Sequence, residues 1–247
     1  MEKLSFVNEK KPRVSYNHTR LRKLISHFSK TKILVMGDLI LDEFIWGEVS
    51  RISPEAPVPV VWAKAESFMP GGSSNVSHNI SSLNAKVSLC GVVGDDQRGI
   101  ILKDILKAKG IDTSGIITDG SRPTILKTRV IAHHQQVVRI DREKMHPLDS
   151  RIVDKMIDFT KKKMKDFDAV IIEDYGKGVI GPVLLQETIG FAKRLGKIIT
   201  VDPKESHFNF YKGVTSITPN HHEAGNAAGF PIQNADSLKK AGKKLLE

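Results

Sequence analysis

"KILVMGDLILDEFIWGEVSRISPEAPVPV", residues 32–60, decides the fold. It opens on the apolar run Ile33–Met36 and closes that run with Gly37 and Asp38. A short stretch that is apolar at every position reads as a strand covered on both faces. Asp42 follows four residues after Asp38, and then Pro54, Pro57 and Pro59 exclude a helix and suit edge strands and turns. The stretch therefore predicts a buried strand whose carboxyl end carries a carboxylate pair and runs on into an extended ribbon.

The same habit recurs along the chain. "AKVSLCGVVGDD" (85–96), "DAVIIEDY" (168–175), "GKIITVDP" (196–203) and "VTSITPN" (214–220) read as further strands. Between them "QRGIILKDILKAKG", "DSRIVDKMIDFTKKKMKDF" and "GPVLLQETIGFAKRLG" read as helices, the last with Pro182 in its first turn and Gly196 at its stop. Apolar strands alternating with helices predict an α/β protein with a mostly parallel sheet covered on both sides. The strands end in Asp38, Asp95 and Asp96, Glu173 and Asp174, Asp202, and Asn220. Any one of these suits a helix cap or a turn. The repetition points to a ligand rim, because ligands of open α/β sheets bind outside the carboxyl ends of the strands.

Two segments break the alternation. "RPTILKTRVIAHHQQVVRIDRE" (122–143) reads as two strands with a turn near the histidines, with Lys127 and Arg129 on one face and Arg139 and Asp141 on one face. Together with the proline-rich ribbon it predicts a small β-lid, from segments of about 44–66 and 122–142, looking toward the rim. Residues 1–30 are expected to form a basic arm and a leading helix, with Leu21, Leu24, Ile25 and Phe28 at helical spacing and Asn17 or Thr19 as cap. Residues 31–247 form the main domain.

Composition narrows the function. The formal charge of +10 raises nucleic acid, a membrane surface or an anionic substrate. The lysines are spread along helical segments, only 6% of residues are aromatic, and no nucleic-acid motif is present. A phosphorylated small molecule is the partner expected, with neither nucleic acid nor membrane. The single cysteine, Cys90, allows no internal disulfide and has no partner spacing for zinc. Without a signal-type apolar segment or a run of roughly 20 apolar residues, a cytoplasmic location is expected.

Neither a dinucleotide fingerprint nor a P-loop is present. "MPGGSSNVSHNISSLNA" (69–85) sets Gly71 and Gly72 before a helix with Val76, Ile80 and Leu83 as its stripe. Paired glycines let a ligand approach backbone N–H groups, and Asn75 can donate to and accept from a hydroxyl; a tight turn before a capped helix is the plainer alternative. "ITPNHHEA" (217–224) places Asn220 and Glu223 three apart, suited to organising water around Mg²⁺ near a polyphosphate, while His221 and His222 read as solvent-exposed.

Taken together, "GDLILDEFIWGEVSRISPEAPVPV", "PGGSSNVSHNISSLNAKVSLCGVVGDD", "RPTILKTRVIAHHQQVVRID", "EDYGKGVI", "VDPK" and "TPNHHEA" resemble the ribokinase-like (phosphofructokinase B type) carbohydrate kinases. Within them, "SRISPEAPVPV" and "KTRVIAHHQQ" resemble the D-glycero-β-D-manno-heptose 7-phosphate kinases of lipopolysaccharide-precursor synthesis. The likeness runs from about Ile33 to Phe230. It implies a three-layer αβα fold, ATP and Mg²⁺ as cofactors, and a β-lid that closes over the sugar and serves as a homodimer interface. By position it implies that Asp38, Asp42, Gly71, Gly72 and Asn75 hold the sugar, and that Lys127 and Arg129 meet its phosphate. Asp174 and Lys177 would line the same rim. Asp202, Lys204, Asn220 and Glu223 would face the nucleotide, with Glu223 reaching the metal through water. The family's catalytic base, an Asp in a late "GAGD" segment, has no counterpart in the 247 residues, so no catalytic residue is assigned and the chain alone is expected to be a poor kinase. "VDPKES" lacks the glycine expected after the lysine, and nothing resembles an HxGH adenylyltransferase module. Two alternatives stand beside the heptose kinase: a sugar-phosphate-binding remnant or split-enzyme subunit, and a kinase for another sugar.

Overall fold

Alternate residues of the first core strand enter two different cores, as a computed structural model of the chain shows. It describes residues 17–246; the basic arm of residues 1–16 lies outside the described residues. In chain order the elements begin with α1 (His18–His27), β1 (Lys32–Gly37), β2 (Leu39–Ile52), β3 (Pro59–Gly72), α2 (Ser73–Ser82), β4 (Lys86–Gly94) and α3 (Gln97–Ala108). They continue with β5 (Asp112–Asp119), β6 (Ile125–Ala132), β7 (Gln135–Arg142), α4 (Ser150–Met164), β8 (Ala169–Glu173) and α5 (Pro182–Arg194). β9 (Ile198–Asp202), β10 (Ser216–Ile217), α6 (His221–Ala228) and α7 (Ala235–Leu246) complete it.

Six strands form a parallel sheet in the order β10-β9-β8-β1-β4-β5. From β1, Leu34 and Met36 enter the core beneath α4 and α5, while Val35 enters the core beneath α2 and α3. β4 repeats this, with Cys90 and Val92 on one side and Leu89 and Val93 on the other. A strand apolar at every position can be buried only by helices on both faces, so the three layers follow from this pattern. The strands expected from sequence are present, although β10 is only two residues long. β5, "DTSGIITD", was not anticipated; its Thr, Ser and Asp positions hide the strand, and pairing with β4 creates it.

The lid is a second sheet of four strands, ordered β3-β2-β6-β7. β2 runs parallel to β6 but antiparallel to β3, and β6 and β7 form a hairpin through His133 and His134, both at positive φ. β2 and β3 reach beyond the segment of about 44–66 read from sequence, whereas β6 and β7 fall within 122–142. β2 starts at Leu39, and its first residues, Leu39 and Leu41, are anchored in the core under α2 and α3. The ribbon thus grows directly out of the end of β1, and the prolines fall in the connection between β2 and β3 or at the start of β3.

Gly37 occupies a tight junction where the end of β1 meets β8 and the start of α2. A Cβ there would overlap the Glu173 carbonyl and the Ser73 hydroxyl. Gly37→Ala is expected to destabilise the fold by about 3 kcal/mol, because neither backbone nor helix start can retreat. A urea midpoint within error of the parent's would contradict this packing.

Candidate active site

The carboxyl ends of β1, β8 and β9 and the start of α2 meet under the lid, and the side chains there fall into three groups. The first builds the walls. Asp38 is fully buried, and its carboxylate accepts from three backbone N–H groups: Oδ2 from Tyr175 (2.9 Å) and Lys177 (3.2 Å), Oδ1 from Val179 (3.2 Å). Asp38, expected to hold a sugar hydroxyl, here turns these acceptors to the loop after β8. Asp174, expected to line the same rim, is also engaged by protein groups. It is buried and accepts from Tyr211 Oη (2.7 Å), with His207 Nδ1 at 2.6 Å and the Gly176 N–H at 2.9 Å.

The alternation of β8 sends its two terminal acids to opposite sides. Ile172 enters the core under α4 and α5, so Asp174, two residues on, turns to that side; Ile171 and Glu173 turn to the other. Glu173 is register partner to Asp202 on β9 and is 6% exposed, against 5% for Asp174.

The second group is the lid's charge cluster. Asp42 stands where β2 leaves the main sheet, so close to Gly71 that a Cβ there would lie 2.6 Å from Asp42 Oδ2. Gly72, at φ +53°, could accept a Cβ only with strain. Asn75 is exposed on the first turn of α2. Arg129 Nη1 donates to Asp42 Oδ1 at 2.5 Å, and its guanidinium lies over the Phe44 ring. Lys127 Nζ pairs with Asp141 at 3.0 Å, and Lys177 Nζ with Glu143 at 2.7 Å. Lys127 and Arg129 thus lie together on one lid face as expected, but each is engaged by a carboxylate. An anionic group arriving there would exchange with Asp42 and Asp141.

The third group lies at β9 and α6. Asn220 and Glu223 form a capping box: Asn220 Oδ1 accepts from the N–H groups of His222 and Glu223, and Glu223 Oε2 accepts from the Asn220 N–H at 2.9 Å. In this structure the pair, expected to organise water around Mg²⁺, caps α6. Glu223 keeps one oxygen without a hydrogen-bond partner among the described residues. Its charge, with burial as the larger cause, raises the Asp202 carboxyl above its ordinary value, partly offset by a hydrogen bond from Thr218. Lys204 lays its stem against Gly176, at the edge of a cleft of about 370 Å³ between residues 145–148, the loop after β8 and residues 204–207. His221 and His222 are exposed, with rings 3.9 Å apart between centroids. Among the described residues no group of three His, Cys, Asp or Glu side chains is placed to hold a metal, so a cation here would need the oxygens of a bound phosphate beside Asp202 and Glu223. That fits Mg²⁺, which usually binds one or two carboxylates together with water and substrate phosphate.

This fold, with a lid rooted at the strand ends, defines an α/β carbohydrate-kinase architecture. Residues 30–247 match the model of the pfkB family carbohydrate kinases, and the chain belongs to that family. It is 45% identical over 223 residues to the bifunctional protein HldE of Desulfatibacillum aliphaticivorans, covering 90% of this chain and 46% of that one. Its identity to bifunctional protein HldE of Helicobacter pylori (strain HPAG1) is 47% over 216 residues, covering 87% and 47%. The chain thus spans about half the length of these relatives. Among solved structures, phosphofructokinase-2 from Escherichia coli in complex with substrates and products superposes with a TM-score of 0.68 at 15% identity, covering 87% of this chain and 68% of that one. Arabidopsis thaliana ribokinase complexed with ribose and ATP gives 0.63 at 14%, with the same coverage. At such identities the likeness is one of fold. No helix among the described residues is long and apolar enough to cross a membrane.

Two measurements test this reading of the site. Burial, with the Asp202 charge second, pushes the Glu173 carboxyl from 4.5 up to about 7. Burial, with the Asp174 charge adding and the Lys177, Val179 and Tyr175 N–H groups opposing, raises Asp38 from 3.8 to about 6. Across these windows the folded protein holds protons that the unfolded chain has released, so stability should fall as pH rises from about 4 to 7 and level off above. Glu173→Gln should remove part of the slope and exceed the parent by on the order of 1 kcal/mol near pH 8. An unchanged slope in urea titrations would refute the burial of this group. Asn220→Ala should cost about 1 kcal/mol through the lost cap; no shift in the midpoint would leave the capping box without energetic weight.

Proposed function

We propose that the chain supplies the sugar pocket and lid of an ATP-dependent kinase that transfers the γ-phosphoryl of ATP to the anomeric hydroxyl of D-glycero-D-manno-heptose 7-phosphate. One observation carries the proposal: Asp42 lies against the Gly71–Gly72 backbone at the entrance of α2 while its other side is held by Arg129 of the lid. The reading is supported by a carboxylate suited to vicinal hydroxyls standing beside a cation suited to a phosphate, on the paired strands β2 and β6. The resemblance of "SRISPEAPVPV" and "KTRVIAHHQQ" to the heptose branch, and the relatives named HldE, support the sugar assignment.

In this reading Asp42 orients the sugar ring, with Asn75 and Glu173 at the pocket edge. Lys127 and Arg129 exchange their carboxylate partners for the 7-phosphate, which fixes the far end of the substrate. Lys204, Asp202 and Glu223 face the nucleotide phosphates, the two carboxylates holding Mg²⁺ through water. The metal, when bound, neutralises charge on the transferring phosphate. Phosphoryl transfer asks chiefly for such positioning and charge neutralisation. The anomeric hydroxyl gives up its proton as it takes the phosphoryl group, and ADP leaves; no residue of this chain is assigned as the base. The hairpin face of the lid, with Val138 and Ile140 exposed, is proposed as the surface for a second copy.

Calorimetry of the chain with heptose 7-phosphate tests the pocket. Binding is expected for the parent, with a loss of about a hundredfold for Asp42→Asn. No heat with the folded parent would refute the pocket. Binding without ATP turnover would favour a sugar-phosphate-binding subunit over a self-sufficient kinase. Turnover by a longer form of the protein with fructose 6-phosphate alone would keep the family and remove the heptose assignment.

A further inference from the structure

Helix α1 lies outside the kinase architecture. The family match begins at residue 30, and α1 ends at His27. None of its residues is buried. Yet it is built as an amphipathic helix: Leu21, Leu24 and Ile25, with Phe28 just beyond its end, fall at i, i+3, i+4 and i+7 and form one stripe. Leu24 is 51% and Ile25 62% exposed. Asn17 caps the helix by accepting from the Arg20 N–H, so its start is fixed by its own sequence.

The rest of the helix surface is cationic. Arg20 and Arg22 flank the stripe, Lys23 lies opposite it and Lys30 and Lys32 follow the helix, and no acidic residue occurs between Glu9 and Asp38. At 100° per residue, Arg20 and Arg22 lie roughly 100° to either side of the stripe, where their stems can lie along an apolar surface while their guanidinium groups reach outward. A stripe of this kind needs a cover, and the charge decides among the candidates. A second copy would set Arg20 and Arg22 against like charges in a close apolar contact. A protein groove would meet cations on one side only, whereas here they continue around the helix. A sheet of anionic headgroups matches both the stripe and the full cationic girdle.

We propose that α1 is an interfacial helix that rests on an anionic lipid surface, with Leu21, Leu24, Ile25 and Phe28 inserted at the headgroup boundary and Arg20 and Arg22 among the lipid phosphates. A single short helix gives weak, reversible, salt-sensitive attachment rather than anchoring. This does not depend on which sugar the pocket takes. A membrane was not expected from composition, which spread the lysines over the whole chain; the structure places a cationic segment with no acid of its own on an element that the other described residues leave uncovered.

The test is co-sedimentation of the full chain with vesicles of phosphatidylglycerol and phosphatidylcholine, against vesicles of phosphatidylcholine alone. Retention on the anionic vesicles, lost in about 0.5 M salt, is expected. Leu24→Asp with Ile25→Asp, and separately Arg20→Glu with Arg22→Glu, should each weaken it about tenfold or more without moving the thermal midpoint, since all four side chains are exposed. Equal retention on both vesicle types, or retention untouched by both pairs of substitutions, would overturn the proposal. So would a fall in the thermal midpoint of the Leu24 and Ile25 variant, or a change in its sedimentation coefficient, because either would mean that protein already covers the stripe. Release from anionic vesicles by a soluble acidic polypeptide or by DNA, with no stripe dependence, would reassign the helix to a polyanion other than lipid.

Discussion

Asp38 joins three separate parts of the chain. Its backbone N–H donates to the Glu173 carbonyl, its carbonyl accepts from the Ser73 N–H, and its carboxylate takes the N–H groups of Tyr175, Lys177 and Val179. The end of β1, the start of α2 and the loop after β8 are thereby held in one geometry. A buried carboxylate is tolerated because those three donors meet it, and even so burial raises its proton affinity. Everything at the rim takes its position from this junction: Asp42 four residues on, Gly71 and Gly72 opposite, Glu173 beside it.

The same junction explains the division of labour among the acids. Two of the strand-end carboxylates, Asp38 and Asp174, point inward and brace loops; Asp42, Glu173 and Asp202 remain at the rim. Asp96 belongs with the braces, since it caps α3 through the Gly99 N–H and holds the start of β6 through Thr124. An α/β kinase site needs both kinds. Acids that touch the ligand must be placed to better than an ångström, and the braces are what place them.

The lid shows a related economy of charge. Lys127, Arg129, Lys177, Asp42, Asp141 and Glu143 form interlocking pairs at the hinge side of the second sheet. Such partly exposed pairs contribute little to stability. In the proposed function they keep the cations ordered and partnered, so that an arriving phosphate would replace a carboxylate instead of ordering loose side chains.

By itself the sequence determined the layer architecture, because Ile33–Met36, Leu89–Val93 and Val170–Ile172 carry no polar side chain on consecutive residues and only a doubly covered parallel sheet buries such strands. It determined the hairpin around His133 and the extended ribbon around Pro54–Pro59 as well, and most of the rim residues, since these lie at strand ends. Tertiary structure decided what each rim residue does. Asp38 and Asp174 look like Asp42 in sequence, but Asp38 is met by backbone N–H groups far along the chain and Asp174 by the side chains of His207 and Tyr211. Asn220 and Glu223 carry a helix cap that fits their spacing as well as a metal role does. β5 exists because β4 offers it an edge, and the exposure of the α1 stripe depends on where the rest of the chain does not reach. Periodicity reports which face a residue is on; only the folded chain reports what waits on that face.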